Sequence, residues 1–90
     1  MKKALISVTG IDSTGIIARV ATKLSEMNIN ILNISQTILD GYFTMMMIVD
    51  LEGSGRHFEE INQELQPVRE ELNMDIHMRR MDIFDAMHRI

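Results

Sequence analysis

The chain has 90 residues, 46% of them hydrophobic and 24% charged, with one proline, five glycines and no cysteine. A chain of that length makes one domain with a modest core, burying roughly 60% of its unfolded surface; its composition excludes disorder, disulfide scaffolds and thiolate metal sites. The 9 basic and 13 acidic residues leave a net charge of −4, which argues against binding a phosphate backbone, where a basic patch must displace counterions.

The chain opens on an apolar run, Ala4 to Val8, that stops at Gly10 and Asp12. It is too short for a signal peptide, and no run approaches the roughly 18 residues of a membrane span, so a cytoplasmic protein is expected. Residues 4–9 are rich in β-formers and predict a first strand. From Thr14 to Met27 the apolar residues Ile16, Ile17, Val20, Ala21, Leu24 and Met27 fall at helical spacing. Asp12, Ser13 or Thr14 can cap that helix, each having a short side chain able to accept from a first-turn amide. A second strand opens at Asn28-Ile29-Asn30 and reaches about Leu39. Its alternation changes phase, with Ile29 and Ile31 on one parity and Leu32, Ile34 and Ile38 on the other, and a bulge near Ile31–Leu32 reconciles the two.

Asp40-Gly41 is a hairpin pair, and Tyr42 to Leu51 reads as the third strand. A loop at 52–55 leads to a second helix from about Arg56 to Leu72, with Phe58, Ile61, Leu65, Val68 and Leu72 as its core stripe. Pro67 removes one amide from that helix and predicts a kink near Gln63. Met74, Ile76 and Met78 alternate with Asp75, His77 and Arg79 in a fourth strand reaching about Met81. A short tail helix is expected over 82–90, with Ile83, Met87 and Ile90 on one face and His88 and Arg89 at the end where the helix dipole favours cations.

The order β-α-β-β-α-β plus a tail predicts an α+β, ferredoxin-like sandwich, in which two helices cover one face of a four-stranded antiparallel sheet. The other face should then be polar, yet the third strand is apolar on both sides. Phe43, Met45, Met47, Val49 and Leu51 share one face, Thr44, Met46 and Ile48 the other, and Leu5 with one parity of the second strand adds to the surplus. The tail helix or another subunit must cover it, and a homodimer or higher oligomer through the sheet is expected.

Gly10-Ile11-Asp12-Ser13-Thr14-Gly15 has the glycine spacing of a phosphate-binding loop. Ile16 and Ile17 stand where lysine and a hydroxyl residue are required, and Asp12 would repel phosphate, so nucleotide binding is not expected. A strand–loop–helix corner remains, with outward amides suited to a carboxylate and Asp12 suited to an ammonium. Together these describe an amino acid, although a plain turn uses the same residues. Nine methionines at core spacing read as filler. His57, His77 and His88 lie in separate elements without metal-ligand spacing, so neither metal nor cofactor is expected. No base accompanies Asp12, Ser13 or Thr14, and an enzyme is not expected either.

The pattern Val8-x-Gly10-x-Asp12-x-x-Gly15-Ile16-x-Ala18-x-Val20, followed by Leu24 and Asn28-Ile29-Asn30-Ile31, resembles the ACT domain family. The likeness continues through Ile34-Ser35-Gln36-Thr37, Phe43-Thr44-Met45 and the ending at 82–90, so it spans residues 1–90 as one ACT domain. It is similar to stand-alone ACT proteins of bacteria and archaea, and to the ACT segments of formyltetrahydrofolate deformylase and the glycine cleavage system repressor. The resemblance implies a non-enzymatic regulatory module that pairs through its sheet, binds an amino acid or similar small ligand at the interface, and modulates a partner in amino-acid metabolism. Carried onto this chain, the implied ligand-binding residues are Gly10, Ile11, Asp12, Ser13, Thr14 and Gly15, faced by Asn28, Ile29 and Asn30. Many relatives carry Arg or Lys directly after the loop aspartate, where this chain has Ser13. The alternative is a protein-interaction adaptor without a small ligand, using its sheet face or its tail; no nucleic acid or membrane partner is expected.

Overall fold

The structure is a computed structural model that describes residues 2–81; the tail helix expected over 82–90 lies outside the described residues. Strand β1 (Lys3–Ile11) leads to α1 (Ile16–Glu26), β2 (Asn30–Leu39) and β3 (Tyr42–Asp50). A 3-10 turn at Glu52–Ser54 precedes α2 (Phe58–Glu64), α3 (Gln66–Leu72) and β4 (Asp75–Arg80). The sheet order is β2-β3-β1-β4 with every neighbour antiparallel, the ferredoxin-like arrangement expected.

Strand alternation sends one parity to the helices. Ala4, Ile6 and Val8 of β1, Phe43, Met45, Met47 and Val49 of β3, and Ile76 and Met78 of β4 are all buried. They meet Ile16, Val20 and Leu24 of α1, and Ile61, Leu65 and Val68 of the second helical arm. Each such side chain contributes about 1.5–3 kcal/mol on leaving water, so this single layer is the main source of stability. Met27, Met45, Met47, Met74 and Met78 all lie in this core, where the unbranched thioether fills irregular gaps.

Local chemistry sets the boundaries. The β2–β3 register jumps between Ile31 and Asn33, leaving Leu32 as the extra residue of a bulge. The bulge returns Ile34 and Ile38 to the parity of Ile31, opposite the buried Met47 and Phe43. The second strand's isoleucines thus belong to the helix side of the sheet, not to its bare face. Asp40 and Gly41 have φ of 52° and 80°, the two positive values of a type I′ hairpin turn. None of Asp12, Ser13 and Thr14 caps α1. Its N-cap is Gly15 in the left-handed region at φ 86°, with no side-chain cap bond, and a side-chain cap requires an extended backbone at that position.

Pro67 divides the second helical arm into α2 and α3, which meet at Leu65. The Gln63 carbonyl loses its partner because proline has no N–H, yet the ladder continues around it. Leu65 N–H donates to Ile61 O at 3.1 Å and Arg69 N–H to Leu65 O at 3.0 Å. Arg69 clips the break to the sheet. Its Nε donates to Ile76 O at 2.7 Å, Nη1 donates to Asn62 O at 3.0 Å and to Gln66 Oε1, and Nη2 donates to Asn62 Oδ1.

Two ion pairs join α1 to that arm, Arg19 Nε to Glu71 at 2.7 Å and Lys23 Nζ to Glu64 at 3.0 Å. The hydrogen bond from Lys23, then its charge, hold the Glu64 carboxyl below its ordinary 4.5, with a lesser contribution from Arg56. A lowered folded-state value contributes stability above the unfolded one and loses it as pH falls through the folded one. The Glu64→Gln variant should therefore be less stable than the parent near neutral pH, and denaturant titrations at a series of pH values should show the gap closing below pH 4.5. A gap unchanged across that range would mean that the pair contributes nothing through charge.

Candidate functional site

The loop between β1 and α1 is held from two directions. Gly10 and Ile11 end β1 opposite Phe43 and Tyr42, and the next amide, Asp12 N–H, donates to Gly41 O at 2.9 Å. The loop therefore rests on the β2–β3 hairpin turn. Under it lies Met74, the last residue before β4. A Cβ on Gly10 would collide with Met74 Sδ and come within 3.3 Å of its methyl. What presses on position 10 is thus the close approach of the flexible Met74 side chain rather than a backbone angle. Gly15 is the opposite case, with open space where its Cβ would stand and φ of 86°, a conformation that costs other L-residues roughly 1–2 kcal/mol.

Beyond these anchors the loop is available to solvent. Ile11 is 73% exposed, and Asp12, Ser13, Thr14 and Gly15 are all exposed. The first bond of α1 runs from Arg19 N–H to Gly15 O at 3.0 Å, so the amides of the preceding turn have no partner within the helix. Those amides and the Asp12 carboxylate form a corner with one region of partial positive charge and one negative group.

Asn28, Ile29 and Asn30 are elsewhere. Asn30 pairs with Asp50 at one end of β3, whereas Ile11 pairs with Tyr42 at the other. From Tyr42 to Asp50 is a separation of roughly 27 Å at 3.3–3.4 Å per residue. Within one chain the structure does not bring these three residues to the loop. Asn28 has a positive φ of 58° and its side-chain amide donates to Gly53 O at 2.8 Å. Ile29 is a core residue, 5% exposed, with its N–H on Leu24 O at 2.9 Å. Asn30 is exposed. Beside them a shallow groove between α1 and the start of β2 is lined by Ala21, Ser25, Asn28, Ile29, Asn30 and Ile31.

The two sheet edges differ. β4 is six residues long and carries Asp75, Arg79 and Arg80, and Arg69 occupies its Ile76 carbonyl. β2 is ten residues long, with neither charge nor proline, and Ile34 and Ile38 are 41% and 55% exposed on its helix side. Long uncharged edges template further strand pairing, whereas charge and blocked carbonyls suppress it. Sequence patterns do not reveal the Met74 floor, the Gly41 tie or the Arg69 clip, because each joins residues distant in the chain. Among the described residues, no group of three or more His, Asp or Glu is placed to hold a metal. No helix among them is long and apolar enough to cross a membrane.

Comparison with known proteins places this geometry in context. The model of the ACT domain family matches residues 2–79. A UPF0237 protein of Bifidobacterium longum is 49% identical over 90 residues, covering 100% of both chains. The solved ACT domain protein from Streptococcus pneumoniae superposes with a TM-score of 0.82 at 40% identity, over 92% of this chain and 93% of that one. The regulatory subunit of aspartate kinase from Thermus thermophilus, in a ligand-free form, gives a TM-score of 0.69 at 28% identity, over 87% of this chain and 51% of that one.

The two glycines should fail differently on substitution. Gly10→Ala overpacks the loop floor and should cost about 1–3 kcal/mol, much of it recovered when combined with Met74→Ala. Gly15→Ala should cost about 1–2 kcal/mol with no rescue by Met74→Ala. Urea denaturation of the two double-mutant cycles checks this, and strict additivity in the first would refute the close approach.

Proposed function

The chain belongs to the ACT domain family, whose members are typically small-ligand regulatory modules, and from that premise we propose that it senses an amino acid between two paired copies. The observation that carries the reading is the placement of its two half-sites. The loop 10–15 lies at the hairpin end of β2 and Asn28–Asn30 at the other end. Two copies related by a two-fold axis pair their strands antiparallel. Pairing along the uncharged β2 edge then sets the loop of one copy beside Asn28 and Asn30 of the other, so each dimer completes two sites.

In that setting the open amides at the start of α1 receive the ligand carboxylate, and Asp12 receives its ammonium. Ser13 supplies a hydroxyl rather than a cation, so the helix N-terminus carries the anion's charge alone. Asn30 and the Ser25 hydroxyl, at the groove beside α1, are the groups left to read the ligand's side chain. That the similar chain from Thermus thermophilus is a regulatory subunit of aspartate kinase supports a partner in amino-acid metabolism for this chain as well. A second reading, docking of a protein without small ligand, draws on the apolar group Ile11, Leu39 and Tyr42, exposed together at the hairpin end.

Thermal denaturation in the presence of each amino acid tests the first reading. A ligand at 100 times its Kd adds about 2.7 kcal/mol, which should appear as a rise in Tm that Asp12→Ala abolishes. Ile34→Lys together with Ile38→Lys should yield a monomer by sedimentation and remove the same response. No stabilisation by any amino acid would favour the docking reading instead.

A further inference from the structure

The face of the sheet turned away from the helices has no cover among the described residues. One row crosses it from β2 to β4, with Ser35 opposite Met46, Met46 opposite Ser7 and Ser7 opposite His77. Met46, 45% exposed, is apolar surface in the middle of that row. On β4 two exposed charges stand at equal distances on either side of it, Asp75 before His77 and Arg79 after. They lie about 13 Å apart along the strand, and neither forms an ion pair among the described residues.

Opposite charges placed symmetrically about one row make a surface complementary to itself. A two-fold axis lying in that row, across the strands, turns one copy over another so that β4 covers β4 and each Asp75 faces the Arg79 opposite. The other charges of the face, Lys3 and Asp50 at one end, come over Ile11 and Tyr42 at the other, so no like charges meet. An axis along the strands would instead set Asp75 and Arg79 over Thr37 and Asn33 of β2, without a charged partner. Sheets packed face to face stand about 10 Å apart, a gap that an aspartate and an extended arginine close between them. We propose that two β2-linked pairs pack through this face into a tetramer, with each Asp75 on the Arg79 of the copy opposite and Met46 against Met46.

That tetramer rests on the pairing along β2 proposed above, and the two contacts fit one symmetry. Setting the loop of one copy beside Asn30 of the other brings Leu39 of one β2 opposite Asn30 of its partner. The two-fold axis of that seam then falls midway, at Ile34–Ser35, and Ser35 belongs to the row of Met46 and His77. The seam axis, perpendicular to the sheet, and the axis across the face therefore meet at right angles, the condition for a closed D2 tetramer. Area points the same way. Four strands about 4.8 Å apart and up to nine residues long present roughly 500 Å² per copy, short of the ~800 Å² per partner of a standard interface. A β2-linked pair doubles the face to about 1,000 Å², which clears it.

Sedimentation of the full chain, without ligand, tests this. The unaltered chain should run as a tetramer. Asp75→Arg and Arg79→Asp, both at exposed positions, should each run as a dimer with an unchanged far-UV spectrum, because each sets like charges against each other. An equimolar mixture of the two variants should regain the tetramer, since every facing pair is then of opposite charge. Ile34→Lys with Ile38→Lys should run as a monomer, the face of one copy being too small to hold another. An unaltered chain that stops at a dimer broken by Ile34→Lys with Ile38→Lys, or charge variants that remain tetramers, would overturn the face contact and leave the pairing along β2 standing. An unaltered chain that stays monomeric would overturn both. Should a charge variant fail to fold, the sedimentation of the unaltered chain decides.

Discussion

The pairing of β1 with β3 governs the rest of the molecule. It runs unbroken from Lys3 opposite Asp50 to Ile11 opposite Tyr42, and it places the third strand between the first and the second. A right-handed crossover through α1 must then carry the chain over β3 before β2 can begin. Because β1 and β2 both run antiparallel to β3, they are parallel to each other, and the loop that leaves β1 and the segment that enters β2 lie at opposite ends of the sheet. No side-chain chemistry could bring Asp12 and Asn30 together within one chain without undoing the central pair. A ligand that needs both therefore needs two chains.

The same pairing decides which strands are edges, and the molecule treats them unequally. At β4, Arg69 spends its guanidinium on the Asn62 carbonyl and side chain, Gln66 and the Ile76 carbonyl. One group thus steadies the break at Leu65 and withdraws an edge acceptor from other strands. At β2 nothing of the kind is present among the described residues. Its bulge at Leu32 sharpens the local twist, and beyond it Ile34 and Ile38 extend past the cover that α1 provides. In an isolated copy that surface is a liability to aggregation; in a pair it adds buried apolar area to a core that 90 residues alone can make only modest.

Much of this was legible in the sequence where the signal is local. The phase change from Ile31 to Leu32 located the bulge, Asp40-Gly41 the hairpin, and Pro67 the interruption. The interruption falls at Leu65, between the orphaned Gln63 carbonyl and the proline ring, because the bonds of Leu65 and Arg69 hold the helix on either side. The capping of α1 was less legible. Asp12, Ser13 and Thr14 all have cap chemistry, but Gly15 adopts a backbone the others disfavour and so takes the position. The facing of Ile34 and Ile38 followed once the bulge was assigned to Leu32, yet their exposure depends on how far α1 reaches, which no periodicity records. The two halves of the candidate site were named as segments of the family pattern. Their separation in one chain follows only from strand order, a non-local property.

The loop itself illustrates why a ligand corner and a plain turn share one pattern. A turn needs Gly10 to pass over Met74 and Gly15 to reverse into the helix, and both needs are met without any ligand. What a turn does not require is that Asp12 have its amide fixed by Gly41 while its side chain is left in solvent. If Asp12 served only to cap, its carboxylate would accept a first-turn amide, and it does not. The helix start is left with unsatisfied donors at the place where an acidic residue stands close by and unengaged with them. That arrangement leaves the donors and the carboxylate free to take opposite ends of a zwitterion.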